Sequence, residues 1–153
     1  MALRPLAEAD LERVAAIERA AFTDPWPRRA FEELLAAPHV RAVAADGADG
    51  RLAGYALFSL VAGEAEILNL AVDPSARRRG LGRLLLEGVL GAMRAAGTTA
   101  VFLEVRQSNR AAIELYAAAG FRPVSVRKGY YRNPIEHAVT MALQLAPERA
   151  GKR

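Results

Sequence analysis

The stretch Val72-Asp73-Pro74-Ser75-Ala76-Arg77-Arg78-Arg79-Gly80-Leu81-Gly82-Arg83 sets two glycines among arginines, where an apolar strand pattern gives way to a helical one. Glycine lets backbone N–H groups approach a ligand with no side chain in the way. A helix opening at this point has unpaired N–H donors in its first turn and the positive end of its dipole beside them. Together these hold a pyrophosphate, and the arginines offer charge-assisted contacts to outer phosphates. The pattern is not the dinucleotide G-x-G-x-x-G, whose third glycine is missing, nor a P-loop, since no Gly-Lys-Ser/Thr occurs. A solvated arginine run before an ordinary helix is the competing reading, and the strand–turn–helix context favours phosphate.

A second group of residues carries acid–base chemistry. In Leu103-Glu104-Val105-Arg106, strand alternation puts Glu104 on one face with Phe102, and Val101, Leu103 and Val105 on the other. A carboxylate with such neighbours either has a raised pKa or is paired. Near the end of a strand it can face a ligand crevice and act as general base for an amine. A salt bridge, with Arg106 or a neighbouring helix, is the alternative. Tyr116 follows on the next helix, on one stripe with Ala112 and Ile113. It reads either as core with a satisfied hydroxyl or as a phenol that protonates a leaving thiolate. Asn109, in the first turn of that helix, can cap it or hold a ligand.

The elements that must position these groups follow from periodicity and turn chemistry. Asp10 is the expected N-cap of a helix with Leu11, Val14, Ile17 and Ala21 on one face. Asp24-Pro25-Trp26-Pro27 interrupts it, and Pro27 is expected in the first turn of a second helix through Leu35. Strands are expected at Val40–Ala44, Arg51–Val61 and Glu64–Val72, the last two joined by Ala62-Gly63. A long helix from about Gly80 places Leu81, Leu84, Leu85, Val89 and Met93 on its apolar face. Then come a strand at Ala100–Val105, a helix capped by Ser108 and closed by Gly120, and strands near Arg122–Tyr130 and Ala138–Leu145. This order predicts helices on both faces of one mixed sheet.

The 153 residues suit one domain, and the 52 % apolar content supports a packed core. No apolar run approaches the roughly 20 residues that span a bilayer, and the N-terminus is not a signal-peptide core. The expectation is a soluble, cytoplasmic protein without a membrane partner. The absence of cysteine excludes disulfides, thiolate metal sites and a cysteine nucleophile. The two histidines, His39 and His137, lie far apart, so no two-histidine metal helix exists and no metal is expected. The net charge of +4 favours anionic partners. The basic residues are dispersed, without an aromatic-interleaved motif, so no specific nucleic acid is expected.

These segments together resemble the GCN5-related N-acetyltransferases. Arg77-Arg78-Arg79-Gly80-Leu81-Gly82 matches their R/Q-x-x-G-x-G/A pyrophosphate motif. More narrowly, the chain resembles the bacterial ribosomal-protein-alanine N-acetyltransferases. The stretches that carry this likeness are Asp24-Pro25-Trp26, Asn69 to Pro74, Leu103 to Arg106, Ser108-Asn109, Leu115-Tyr116, Gly120-Phe121 and Tyr130-Tyr131. The resemblance implies a three-layer α/β fold (α+β in some schemes): a central mixed, mostly antiparallel sheet of six to seven strands with helices on both faces. It implies one acetyltransferase domain over residues 1–147, followed by a polar tail at 148–153. Acetyl-CoA is the implied cosubstrate. Leu70, Ala71 and Val72 would offer backbone groups to the thioester and pantetheine arm. Arg77, Arg78, Arg79, Gly80, Leu81, Gly82 and Arg83 would surround the pyrophosphate, and Asn109 would contact coenzyme A. Glu104 matches the general base and Tyr116 the general acid. Pro25, Trp26, Tyr130 and Tyr131 would wall the acceptor groove. The implied acceptor is a protein N-terminus, that of a ribosomal protein, for an enzyme that is a monomer or weak dimer. Two alternatives stand beside this: another amine acceptor (a small molecule, polyamine or lysine), and a non-enzymatic acyl-CoA sensor or basic RNA-binding module.

Overall fold

The computed structural model describes residues 3–146; the tail expected at 148–153 lies outside them, as does residue 147. Seven strands form a sheet in the order β1-β2-β3-β4-β5-β7-β6. They are β1 (Leu3–Pro5), β2 (Val40–Asp46), β3 (Leu52–Val61), β4 (Glu64–Val72), β5 (Ala100–Arg106), β6 (Arg122–Tyr131) and β7 (Glu136–Gln144). The helices are α1 (Leu11–Ala21), α2 (Arg28–Ala36), α3 (Leu81–Ala95) and α4 (Arg110–Ala118). β1–β2, β2–β3, β5–β7 and β6–β7 pair antiparallel, and β4–β5 pair in parallel. The mixed, mostly antiparallel sheet expected from the sequence is thus present, with β1 added. The described residues divide into two compact units, 3–59 with 68–89, and 60–67 with 90–146.

In the first unit, alternation along β3 decides which helix covers which face. Tyr55 turns toward α1 and α2, where it joins Leu11, Val14, Ile17, Phe31, Ala44 and Ala71 in a buried cluster. Gly54 turns the other way, and a Cβ there would stand 3.0 Å from Leu85 of α3 and 3.1 Å from the Ala71 carbonyl. A side chain there would press on both, so glycine suits the close approach of α3 to β3 and β4. In the second unit, Val101, Leu103, Val105, Val139 and Met141 form the buried face of β5 and β7. The chain just past the end of α4 reaches it, and a Cβ on Gly120 would stand 3.1 Å from Leu143.

Several boundaries differ from the sequence reading, each for a local reason. Asp10 stands at the N-cap position of α1, as expected, but its side chain makes no capping bond, because it ends a 3₁₀ turn, Glu8–Asp10, and accepts the Ala7 N–H at 2.7 Å. Pro27 is the N-cap of α2 rather than a first-turn residue, with an extended ψ of 158°. Asn109, not Ser108, caps α4.

Arg4 ties β1 down. Its guanidinium donates to both oxygens of Asp46 (2.9 and 3.0 Å) and both oxygens of Asp10 (2.9 and 3.0 Å). The Arg4 hydrogen bonds hold both carboxyls below their ordinary range. Depressed carboxyl pKa values contribute stability that is present above the unfolded value, near 4, and lost as pH falls through the folded one. Arg4→Met is therefore expected to cost about 1 kcal/mol at pH 7, a modest figure because the guanidinium is partly solvated. The difference from wild type should shrink as the pH drops below about 4, as read by thermal unfolding across a pH series. A difference that stays constant to low pH would remove the ion pairs as its cause.

Candidate active site

The phosphate-type turn lies in the first unit and is bolted down from three sides. The Asp73 N–H donates to the Ala53 carbonyl at 2.7 Å, and the Asp73 carboxylate accepts from the Ser75 N–H at 3.0 Å and from Arg13. Arg13 also donates to the Leu52 carbonyl at 3.0 Å. The Ser75 amide, with Arg13 behind it, holds the Asp73 carboxyl below the usual range against the opposing effect of burial. A 3₁₀ turn over Pro74–Ala76 follows, and Arg77, Arg78 and Arg79 run exposed into α3. Arg78 has φ +67° and Gly80 φ +79°. A left-handed arginine is strained by about 1 kcal/mol or more. The Gly80 carbonyl accepts the first helical bond, from the Leu84 N–H at 2.9 Å. The amides of Leu81, Gly82 and Arg83 are left with no protein acceptor among the described residues, as the first turn of a helix requires. The Arg83 side chain is engaged elsewhere, paired with Glu87 at 2.9 Å on the exposed face of α3.

Just before this turn, β4 carries Leu70, Ala71 and Val72. The β4–β5 ladder stops at Ile67↔Leu103, although β4 continues to Val72 and β5 to Arg106. Backbone groups of β4 beyond Ile67 are thus outside the ladder on that edge. In the same unit Trp26 is half-buried, its ring 5.4 Å from Phe31, with Pro25 beside it in the α1–α2 loop.

The second unit brings Glu104, Tyr116 and Tyr131 into one electrostatic neighbourhood. Glu104 sits opposite Thr140 in the β5–β7 ladder, its side chain 19 % exposed. Its partner is Arg127 of β6, whose Nη1 donates to Oε2 at 2.7 Å, and the Thr140 hydroxyl donates to the same oxygen at 3.3 Å. Arg106, one of the alternatives offered as its partner, is instead paired with Glu136 at 3.2 Å and lies 4.6 Å over the Tyr131 ring. Oε1 of Glu104 has no protein donor among the described residues. One oxygen of the carboxylate is thus held, and the other has no protein partner among the described residues.

Tyr116 is buried, edge-on to Phe121 at 5.6 Å, and its hydroxyl makes no hydrogen bond among the described residues. Burial, reinforced by Tyr131, pushes its phenol well above the ordinary tyrosine value. Tyr131 is itself pushed up to about 12, first by burial and then by the charge of Glu104. Both phenols hold their protons through the neutral range, and a neutral phenol can donate. Tyr130 is exposed, with Arg127 4.3 Å over its ring. Asn109 accepts the Ala112 N–H at 3.1 Å through Oδ1, which leaves its amide Nδ2 for another partner.

Glu66 escaped the sequence reading. It lies across the β4–β5 ladder from Phe102, on the face that carries Glu104. Burial first, and the Glu104 charge second, raise its carboxyl above the usual range. The alternation in Glu64-Ala65-Glu66-Ile67 signals this, since it sets Glu64 and Glu66 on one face.

The first unit thus carries a helix opening lined with unpaired amides after a fixed strand end, and the second, taken by itself, a carboxylate with one oxygen held. A model of the acetyltransferase (GNAT) family matches residues 11–121, and the chain belongs to that family. It is an acetyl-CoA-dependent N-acetyltransferase. Over 143 residues it is 37 % identical to the [ribosomal protein bS18]-alanine N-acetyltransferase of Salmonella typhimurium, covering 92 % of this chain and 95 % of the relative. It is 41 % identical over 142 residues to the N-alpha-acetyltransferase RimI of Mycobacterium tuberculosis, covering 89 % and 87 %. The crystal structure of the ribosomal-protein-S18-alanine N-acetyltransferase from Escherichia coli superimposes with a TM-score of 0.88 at 33 % identity, over 98 % of this chain and 97 % of that one.

Proposed function

We propose that the enzyme acetylates the N-terminal α-amino group of a protein, namely the N-terminal alanine of a small-subunit ribosomal protein, by direct attack on acetyl-CoA in a ternary complex. The names of the relatives support the acceptor. The observation that carries the chemistry is the Glu104 carboxylate, with Oε2 held by Arg127 and Oε1 without a protein donor.

An α-amino group has a pKa near 8, so at neutral pH most of it is protonated and cannot attack. Glu104 takes that proton, directly or through a water. The free amine then attacks the thioester carbonyl, and backbone groups of Leu70, Ala71 and Val72 stabilise the developing oxyanion and hold the pantetheine arm. As the C–S bond breaks, Tyr116 protonates the departing thiolate; the nitrogen gives its second proton to solvent, from which Tyr116 recovers its own. The amides from Arg77 to Arg83 hold the pyrophosphate, and the Asn109 amide contacts coenzyme A. Pro25, Trp26, Tyr130 and Tyr131 wall the acceptor groove. No cysteine exists to carry an acetyl-enzyme intermediate, which agrees with direct transfer.

Incubation with acetyl-CoA and a peptide beginning Ala-Arg tests the acceptor. Mass spectrometry is expected to find one added acetyl group at the N-terminus, and none on the same peptide with a blocked N-terminus. Acetylation of lysines in either peptide, with the free N-terminus of the unblocked one left untouched, would refute the assignment.

A further inference from the structure

Glu18 lies in the core of the first unit, 2 % exposed, in a helix whose other buried residues are apolar or small. An ionised carboxylate only accepts hydrogen bonds, and burying one is costly unless donors surround it. Three donors from three elements do so. Tyr55 of β3 donates its hydroxyl to Oε1 at 2.6 Å, and Asn69 of β4 donates its side-chain amide to the same oxygen at 2.9 Å. Oε2 takes one bond, from the backbone N–H of Trp26 in the α1–α2 loop, at 2.9 Å. Burial, then the charge of Glu18, raises the Tyr55 phenol well above its ordinary value, so it remains a donor.

The division of labour between the two oxygens is informative. Oε1 fastens α1 to the sheet, through the strand that runs on from Asn69 into Leu70, Ala71 and Val72. Oε2 reaches out of the sheet and fixes the backbone of a loop. In that loop Trp26 lies between Pro25 and Pro27, and proline has no N–H. Trp26 thus supplies the donor in Pro25-Trp26-Pro27, and Glu18 is where it ends. The indole, packed against Phe31, which in turn meets Tyr55 edge-on at 5.7 Å, keeps its orientation through the same tether.

We propose that Glu18 is a positioning residue for the acceptor: its Oε2 sets the place of Trp26 and so the affinity for the incoming peptide. This rests on the reading of Pro25 and Trp26 as a wall of the acceptor groove. Glutamine at this position can keep its carbonyl toward Tyr55 and Asn69 while its amide NH₂ meets the Trp26 N–H, so Glu18→Gln cuts the loop bond selectively. Tyr55→Phe removes a bond from the other oxygen and leaves the loop bond in place.

The experiment measures peptide KM, kcat, acetyl-CoA affinity by calorimetry and thermal stability for wild type, Glu18→Gln and Tyr55→Phe. Both variants are expected to lose thermal stability. Only Glu18→Gln is expected to raise the peptide KM, by about 10-fold for a lost bond to a charged acceptor, with acetyl-CoA affinity held. An unchanged KM, or an equal rise in Tyr55→Phe, would overturn the proposal and reduce Glu18 to a fold-stabilising group. Amide hydrogen exchange at Trp26 decides independently of whether Glu18→Gln folds, because an unprotected Trp26 N–H in the wild type also overturns it. A wild type that acetylates no peptide N-terminus, yet protects this amide, would instead fault the acceptor assignment.

Discussion

Glu104→Gln is expected to lower kcat by about 10²-fold or more, the usual contribution of a positioned general base. Acetyl-CoA affinity should be nearly unchanged. Glutamine has the shape of glutamate, and its carbonyl oxygen can still accept from Arg127 and Thr140, which now share Oε2. What it loses is the second oxygen as a proton acceptor. The pH profile makes the test sharper. Near pH 6 almost all of an α-amine is protonated, and near pH 9 most of it is free. The deficit of the variant should therefore be largest at low pH and shrink as the amine deprotonates in solution. Tyr116 does not confuse this readout, because its phenol pKa lies above the ordinary value and the proton stays on through that window. Near wild-type turnover across the whole range would take Glu104 out of the base role. A deficit that is constant with pH would point to lost electrostatics at the site rather than lost proton transfer.

The parts of this site that were legible in the sequence are the local ones. Unpaired amides at the start of α3 follow from a strand, a turn and a helix in succession, and Asp73-Pro74 and Gly80 mark those boundaries within one segment. The sides of β5 follow from alternation alone. Long-range partners were not legible. Arg127 reaches Glu104 only because β6 pairs with β7 and β7 with β5, and a register irregularity between Arg127 and Tyr131 decides where that arginine falls. A salt bridge was one of the two readings of Glu104, with Arg106 or a neighbouring helix as the partner; the pair is formed by neither, since Glu136 of β7 claims Arg106 and Arg127 of β6 reaches Glu104. The choice between Ser108 and Asn109 as the cap of α4 depended on backbone angles, because both side chains can accept an N–H. β1 is three residues long and too short to show a period.

Glu18 was legible in principle. It falls on the stripe of α1 defined by Leu11, Val14 and Ala21, four residues after Val14 and three before Ala21. A charge in the middle of an apolar stripe announces a buried, partnered carboxylate. The residues that serve the core and those that serve chemistry meet here, so one side chain both secures the sheet and holds the loop.

Gly82→Leu should move stability and affinity in opposite directions. Gly82 is the second residue of α3, where glycine costs the helix up to about 1 kcal/mol relative to leucine. On helix propensity the variant should be as stable as wild type or slightly more so. Its effect on coenzyme A is the reverse. The amides of Leu81, Gly82 and Arg83 have no protein acceptor among the described residues, and a phosphate must come within about 3 Å of them to be bound. A branched side chain on the middle residue crowds that approach. Losing two charge-assisted bonds, each worth roughly 1.5–3 kcal/mol, weakens binding by about 10²-fold or more. Calorimetry with coenzyme A and with dephosphorylated pantetheine separates the terms, since only the phosphorylated ligand should lose affinity. The peptide KM at saturating acetyl-CoA should hold. Unchanged coenzyme A affinity in a variant of normal stability would mean that the pyrophosphate is not bound at the start of α3. The strained Arg78 and the unpaired first-turn amides would then have no part in cosubstrate binding.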